Sequence, residues 1–215
     1  MSGNTRTLEF EYSDLTKPYQ LMLMFEPMAE GKLYTEMFPI CWKVLRLSKE
    51  NSGVAKVVYT SQTGLMVPQT DCGNMICAGN ARPCETGQIC TLKTDNDGDN
   101  YLEQATAGAE GIIQCKVESS FPATVAFGIF NQKKTALEPL FTWKDIPKGD
   151  RLSIKVTPVL KIYAVSNYQE TEVVKSDVFS DSLFKENILT LPSLSRWTVS
   201  VDNNTKAIKI TRADK

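Results

Sequence analysis

Apolar and polar residues alternate with a period of two along much of the chain. The alternation is clean in residues 151–156 and 206–210 and extends over most of residues 7–12 and 111–117. Such a run has one face for a core and one for water, which is typical of a half-buried β-strand. The pattern predicts an all-β protein, an antiparallel β-sandwich-like fold with very little helix.

A second group of runs is apolar on both faces, which fits strands buried on both sides or strands whose outer face meets a partner. Polar segments at residues 48–53, 95–100 and 202–205 predict turns, the first and last of them in hairpins. The best helix candidate is residues 176–186, with Ser176 or Asp177 as its N-cap. The doubly apolar runs are residues 19–25, 39–47, 54–59 and 124–130.

Composition indicates one globular domain over residues 1–215. Hydrophobic residues make up 42% and charged residues 23%, which is an ordinary globular mixture. The segment at about residues 70–110 is rich in Cys, Gly and Asp and poor in β-branched apolar residues. We therefore expect an ordered insertion there. A net charge of −1 provides no long-range field for nucleic acid or an anionic membrane.

The N-terminus lacks an apolar stretch of signal-peptide length, and no run is long enough to span a membrane. We therefore expect a cytoplasmic protein, or one exported by a route that the sequence does not show. In the cytoplasm most of the six cysteines would be reduced, and no C-x-x-C pair points to zinc or to a redox motif. Structural thiols are the favoured interpretation, with one or two bridges left open inside the cluster of Cys72, Cys77, Cys84 and Cys90.

The chain contains no histidine. Imidazole is the usual general base and a common metal ligand, because its ordinary pKa lies nearest neutral pH. Its absence excludes Ser-His-Asp and Cys-His catalysis, zinc sites that contain histidine, and haem held by a proximal histidine. The glycine spacings fit no phosphate-binding loop, so nucleotide binding through such a motif is excluded as well.

Two loops carry candidate binding residues. Asp95, Asp97 and Asp99 alternate in the manner of the start of a calcium loop, although the rest of the EF-hand pattern is missing and a solvated hairpin tip is the commoner interpretation. Arg82 could clamp a carboxylate or phosphate, although most such arginines are simply surface residues. Trp42, like the other two tryptophans, has the sequence context of a core anchor.

Residues 38–45 read Phe-Pro-Ile-Cys-Trp-Lys-Val-Leu, and strand-like sequence returns at residues 57–60 and continues to Val-Pro-Gln at 67–69. This pattern of strand, short turn and returning strand resembles the pink chromoproteins of oyster mushrooms, a group of soluble fungal proteins. The resemblance covers about 30 residues, together with overall size and β character.

The resemblance implies a strand-rich homodimer with intertwined chains. It also implies a hydrophobic polyene pigment that ends in a 2-oxo acid and chelates a divalent metal at the dimer interface. Without imidazole, oxygen atoms would hold that metal, which favours magnesium or calcium over zinc or copper. No ligand residue transfers by motif, so we assign Asp95, Asp97 and Asp99 as candidate metal ligands. Arg82 and Trp42 are the candidate ligand-binding residues.

The leading hypothesis is therefore a non-enzymatic protein that carries a hydrophobic small molecule, with no haem, no nucleotide and no nucleic acid partner. A polyene needs a long apolar groove, and the doubly apolar strands could provide one. A cytosolic fungal lectin or defence protein is the first alternative. The second is a histidine-free hydrolase that uses two carboxylates.

Overall fold

The alternating sequence folds almost entirely into β-strands. The computed structural model describes residues 5–28, 33, 35–49, 52–71, 74–165, 167–176, 178 and 180–213. Within these residues the helical structure is limited to one 3-10 turn, Ile188–Thr190. The strands, in chain order, are β1 (Arg6–Tyr12), β2 (Tyr19–Phe25), β3 (Met37–Pro39), β4 (Lys43–Leu47), β5 (Gly53–Tyr59), β6 (Thr63–Asp71), β7 (Met75–Pro83), β8 (Gln88–Thr94), β9 (Asn100–Leu102), β10 (Thr106–Ala107), β11 (Ile113–Val117), β12 (Ala123–Phe130), β13 (Leu137–Ile146), β14 (Arg151–Ile154), β15 (Val159–Ala164), β16 (Phe184–Asn187), β17 (Leu194–Val201) and β18 (Ile208–Arg212).

These strands form four sheets. Sheet 1 has the order β18-β17-β1-β5, and sheet 2 has the order β16-β15-β2-β4. Sheet 3 has the order β10-β8-β11-β14 with β9 beside β8, and sheet 4 has the order β3-β13-β12-β6-β7. The β1–β17 and β8–β11 pairs are parallel, and the other strand pairs in the described part of the chain are antiparallel. The predicted all-β, mainly antiparallel architecture is confirmed.

Strand β2 is buried on both faces within a single chain. Leu21, Leu23 and Phe25 point into the main core, which takes residues from all four sheets. Met22 and Met24 point the other way, into a small outer cluster that includes residues of β15 and of the segment after it. The segment after β15 thus buries the second apolar face of β2, which the sequence of this strand requires. The members of the outer cluster are Met22, Met24, Cys41, Tyr163 and Val174, with Val44, Val165, Tyr168 and Val178 packed against it.

Strand β12 repeats this arrangement in sheet 4. Val125, Phe127 and Ile129 lie in the main core. Ala126, on the opposite face, belongs to a second outer cluster with residues of β6, β7 and the chain near Val173. The apolar faces of β2 and β12 are therefore covered within one chain. The sequence had left a partner open as the alternative cover for these strands.

Two local predictions are wrong. Residues 48–53 do not connect a hairpin, since β4 pairs with β2 and β5 pairs with β1, in different sheets. Residues 176–186 do not form a helix, although Asp177 and Phe179 of that prediction lie outside the described residues. Phe184 instead starts β16 and packs its ring against Trp197 of sheet 1, with ring centroids 4.7 Å apart. The contact between sheets outweighs the weak helical pattern.

The other predicted turns are confirmed. Residues 95–100 link β8 to β9, and residues 202–205 link β17 to β18, and both strand pairs are antiparallel. The segment predicted as an insertion, residues 70–110, contributes strands to two sheets: β7 to sheet 4, and β8, β9 and β10 to sheet 3. In the described part of the chain, no helix is long and apolar enough to cross a membrane.

Removing Met22 from the outer face of β2 tests whether the chain itself covers that face. Met22 is 1% exposed, so Met22→Ala leaves a cavity and should lower the free energy of unfolding by about 3 kcal/mol. Gln20→Ala, on the same face but half-exposed, should change it by less than about 0.5 kcal/mol. Urea denaturation measures both, and equal small effects would show that the chain does not bury this face.

Candidate functional site

The candidate site is a cavity of about 510 Å³ at the junction of three sheets. The outermost strands of sheets 1 and 2, β5 and β4, form two of its sides. The turn between β12 and β13, together with the start of β13, forms another side. We call this the junction cavity, and it is lined by Lys43, Leu45, Lys56, Val57, Val58, Asn131, Gln132, Lys133, Glu138 and Glu170.

The alternation of side chains along a β-strand explains why the junction cavity is lined by both apolar and charged residues. Lys43 and Leu45 are two residues apart on β4, so they point to the same side of that strand. Lys56 and Val58 share a side of β5 for the same reason. β4 therefore contributes Lys43 and Leu45 to the lining, and β5 contributes Lys56 and Val58 together with Val57, whose side chain belongs to the main core. The arrangement suits a small molecule that has an apolar body and an acidic end.

Glu138 connects the junction cavity to the main core. Its Oε2 accepts a hydrogen bond from Trp42 Nε1 at 2.7 Å, and its Oε1 accepts one from Lys43 Nζ at 2.9 Å. Trp42 is 2% exposed and packs on Phe25, with ring centroids 5.2 Å apart. The structure therefore places Trp42 as a core anchor. It reaches the cavity only through Glu138, and Trp42 itself does not line the wall.

A bulge in sheet 4 sets the position of Glu138. The β12–β13 register shifts between Phe127 and Gly128, which brings Gly128 opposite Pro139. A Cβ atom on Gly128 would lie 2.2 Å from the backbone oxygen of Glu138, so only glycine fits there without moving β13. Glycine at this position thus permits the close approach that presents Glu138.

Glu170 reaches the junction cavity because the segment after it pairs with the chain before β4. Thr171 N donates to Cys41 O at 2.8 Å, and Cys41 N donates to Glu172 O at 2.9 Å. Glu170 Oε2 then lies 3.6 Å from Lys43 Nζ, and its Oε1 accepts from Val44 N at 3.4 Å. One carboxylate thereby neutralises part of the Lys43 charge and caps an amide of the edge strand.

The neighbouring thiol of Cys41 is buried and held in its neutral form. Burial, with the negative charges of Glu170 and Glu172 nearby, raises the pKa of Cys41 to about 12. A thiolate is the nucleophilic and metal-binding form of cysteine, and at neutral pH Cys41 is almost entirely protonated. It therefore contributes packing beside the site and no nucleophile.

The three lysines of the junction cavity differ in how far they are neutralised. Lys43 faces both Glu138 and Glu170. Lys56 is 57% exposed and lies 3.8 Å from Glu9, a loose surface pair of little energetic value. Lys133 is exposed on the β12–β13 turn and has no ion pair in the part of the chain that the structure describes. Lys56 and Lys133 thus provide the positive charge available to a ligand.

Arg82 lies on β7, away from the junction cavity, and is tied to the backbone. Its Nε donates to Leu102 O at 3.1 Å, while Oδ1 of Asn80 accepts from Leu102 N at 3.0 Å. The side chains of Arg82 and Asn80, both in sheet 4, thereby pair with the carbonyl and the amide of Leu102 in sheet 3. The loop position suggested a clamp for an anion, but the backbone contact with β9 could not be seen without the tertiary structure.

The three aspartates predicted as metal ligands lie on an exposed hairpin tip between β8 and β9. Asp95 Oδ1 accepts two backbone N–H groups, those of Asp97 at 3.0 Å and Asp99 at 2.9 Å. One ligand oxygen is thus already used to hold the turn. No three His, Cys, Asp or Glu side chains come together as a metal-binding group in the described ranges, and the assignment of Asp95, Asp97 and Asp99 as metal ligands stays a prediction.

No known protein family, curated protein or solved structure matches this chain. The resemblance of residues 38–69 to fungal chromoproteins stays a prediction from the sequence. In the structure these residues span β3, β4, β5 and most of β6. Five of the ten residues that line the junction cavity come from this stretch.

Substitution of Arg82 separates the tie to β9 from ligand binding. Arg82→Met leaves the buried carbonyl of Leu102 without its donor and should lower the free energy of unfolding by about 1–3 kcal/mol. Arg151→Met, at an exposed arginine on β14, should change it by less than about 0.5 kcal/mol. Loss of ligand binding with unchanged stability in Arg82→Met would instead support the anion clamp.

Substitution of Gly128 tests the bulge that positions Glu138. Gly128→Ala forces a methyl group against the β13 backbone and should cost about 2 kcal/mol of stability, measured by thermal or urea unfolding. Because β13 must move, ligand affinity at the junction cavity should fall as well. An alanine variant with native stability and native affinity would contradict this role.

Proposed function

We propose that this protein is a non-enzymatic carrier of a small hydrophobic molecule with a carboxylate end, and that the junction cavity holds that end. The observation that carries the proposal is the combination of aliphatic side chains from two edge strands with Lys56 and Lys133. The volume of about 510 Å³ lies within the range of sites for small organic ligands.

The resemblance of residues 38–69 directs the choice of ligand within this class. A conjugated polyene carboxylic acid, such as a polyene 2-oxo acid pigment, has the long apolar body and the single acidic end that the cavity wall suits. Leu45 and Val58 would contact the chain next to the acid, and Lys56 and Lys133 would pair with its oxygens. Charge-assisted contacts of this kind fix the orientation of the ligand.

Two carboxylates also face the junction cavity, which raises the question of hydrolysis. Both oxygens of Glu138 already accept hydrogen bonds, from Trp42 and Lys43. A general acid must hold a transferable proton, and a nucleophile needs an accessible oxygen. Glu170 Oε1 likewise accepts from Val44 N, so both carboxylates already serve as acceptors within the protein, which favours binding without turnover.

Neutralising Lys133 should weaken binding of an acidic ligand. We expect Lys133→Met to raise the Kd for a polyene carboxylic acid about tenfold, since it removes one charge-assisted contact. The neighbouring Lys134→Met, at a residue that does not line the cavity, is the matched control and should leave the Kd within about twofold. Quenching of tryptophan fluorescence measures the affinity, because Trp42 contacts a residue of the cavity wall.

The methyl ester of the same polyene acid provides a second control. The ester keeps the apolar body and lacks the negative charge, so it should bind more weakly than the acid and respond equally little to both lysine substitutions. Acid and ester of equal affinity would contradict a carboxylate site. Protein from its natural source that shows no visible absorption band, and no organic mass in native mass spectrometry, would contradict the pigment.

A further inference from the structure

The outer edge of sheet 3 borders a second cavity, which shares no lining residue with the junction cavity. β14 is the last strand of this sheet and pairs only with β11 in the described part of the chain. The second cavity has a volume of about 580 Å³, and we call it the edge cavity. Its lining includes Arg151, Leu152, Ser153 and Lys155, together with Pro27 and Met28 from the segment that follows β2.

The hydrogen-bond pattern identifies the backbone groups of β14 that no strand uses. Val117 N donates to Asp150 O at 2.9 Å, so Asp150 and every second residue after it bond to β11. Successive residues of an antiparallel pair turn their N–H and C=O groups to opposite sides. The backbone groups of Arg151 and Ser153 therefore point away from β11, and no backbone group of the described residues pairs with them.

The chain after β14 agrees with this alternation. Lys155 N donates to Met28 O at 3.0 Å, on the side that faces away from β11. The segment after β2 thus already bonds to one residue of this edge, as an added strand would. Beside the unused groups, Met28 belongs to the main core and Leu152 packs against it, so the edge cavity also has an apolar wall.

The side chains along the same edge carry unneutralised positive charge. Arg151, Ser153 and Lys155 occupy alternate positions and are all exposed, so they share the outer face of sheet 3. Neither Arg151 nor Lys155 forms an ion pair with any residue that the structure describes. Among the described residues, no aspartate or glutamate lines the edge cavity. The site therefore combines unused backbone donors and acceptors with two cations.

We propose that β14 accepts an extended acidic segment of another protein as an additional strand of sheet 3. The backbone groups of Arg151 and Ser153 bond to the added strand, and alternate side chains of that strand provide the specificity. An acidic side chain opposite Arg151 pairs with the guanidinium group, and one opposite Ser153 lies within diagonal reach of Lys155. The apolar residue between them contacts Met28 and Leu152. This proposal is independent of the ligand in the junction cavity.

The charge of the edge selects the kind of strand that can add. Lysine and arginine on an edge strand discourage unspecific pairing with other strands. A second copy of β14 would bring its own Arg151 and Lys155 against the same two cations, and like charges across a strand pair are destabilising. A segment in which acidic and apolar residues alternate complements both the cations and the apolar wall.

Fluorescence anisotropy of a labelled peptide with the intact chain tests the proposal. The probe is the peptide Glu-Val-Glu-Val-Glu with both ends capped, and we expect saturable binding. Arg151→Met should raise its Kd about tenfold, whereas Arg46→Met, at an exposed arginine on β4, should leave it within about twofold. Ser153→Pro removes the outward N–H and keeps the bonds to β11, so it should also raise the Kd about tenfold, and Ser153→Ala should not.

A peptide of the same sequence with methylated backbone nitrogens separates strand addition from simple charge attraction. It keeps every side chain and lacks the backbone donors, so it should bind about tenfold more weakly. This comparison uses the unchanged protein and supplies the test should Ser153→Pro fail to fold. Equal affinity of the two peptides, an unchanged Kd in Arg151→Met, or no saturable binding at about 1 mM peptide would overturn the proposal. Tighter binding of a single-stranded oligonucleotide than of the acidic peptide would overturn it as well, because the cations would then serve nucleic acid.

Discussion

The carboxylate of Glu138 is the group on which the rest of the site depends. It accepts one hydrogen bond from Trp42, which belongs to the main core, and one from Lys43, which faces the junction cavity. A single side chain of sheet 4 therefore fixes the chain where it enters β4 of sheet 2. Because Lys43 and Glu138 are each only about one-quarter exposed, their pair is held in geometry more firmly than an ion pair at the surface.

The way in which the sheets bury their faces explains where a cavity can exist. β2 and β12 are covered on both sides by described residues of the chain itself, so packed side chains occupy both faces of these two strands. The edge strands β4 and β5 are different, since each pairs on one side and meets the other strand at a corner. Side chains at that corner cannot fill the space as densely as a sheet-on-sheet contact, and charged residues there remain close to water.

The sequence was sufficient for local structure wherever one periodic signal dominated. The run from Tyr19 to Phe25 became β2 with the same bounds, and the turns at residues 95–100 and 202–205 are where their composition placed them. The sequence did not predict local structure correctly where contacts between distant segments determine how strands pair. Residues 48–53 have the composition of a hairpin turn, yet the strands on either side find better partners in two sheets.

The junction cavity could not be predicted from the sequence for the same reason. Lys43, Lys56, Lys133, Glu138 and Glu170 form no motif, and only the meeting of three sheets brings them together. Arg82 and the three aspartates, in contrast, each have a local sequence context that predicts a binding loop. In the structure the side chain of Arg82 holds a backbone carbonyl of β9, and the side chain of Asp95 holds two amides of the hairpin tip.

A crystal structure of the protein with a polyene carboxylic acid tests the central claim most directly. We expect electron density for the carboxylate between Lys56 and Lys133, with the polyene leaving past Leu45 and Val58 and the contacts of Glu138 unchanged. Density for the acid elsewhere on the molecule, or an empty junction cavity in a crystal that has bound the ligand, would contradict the account.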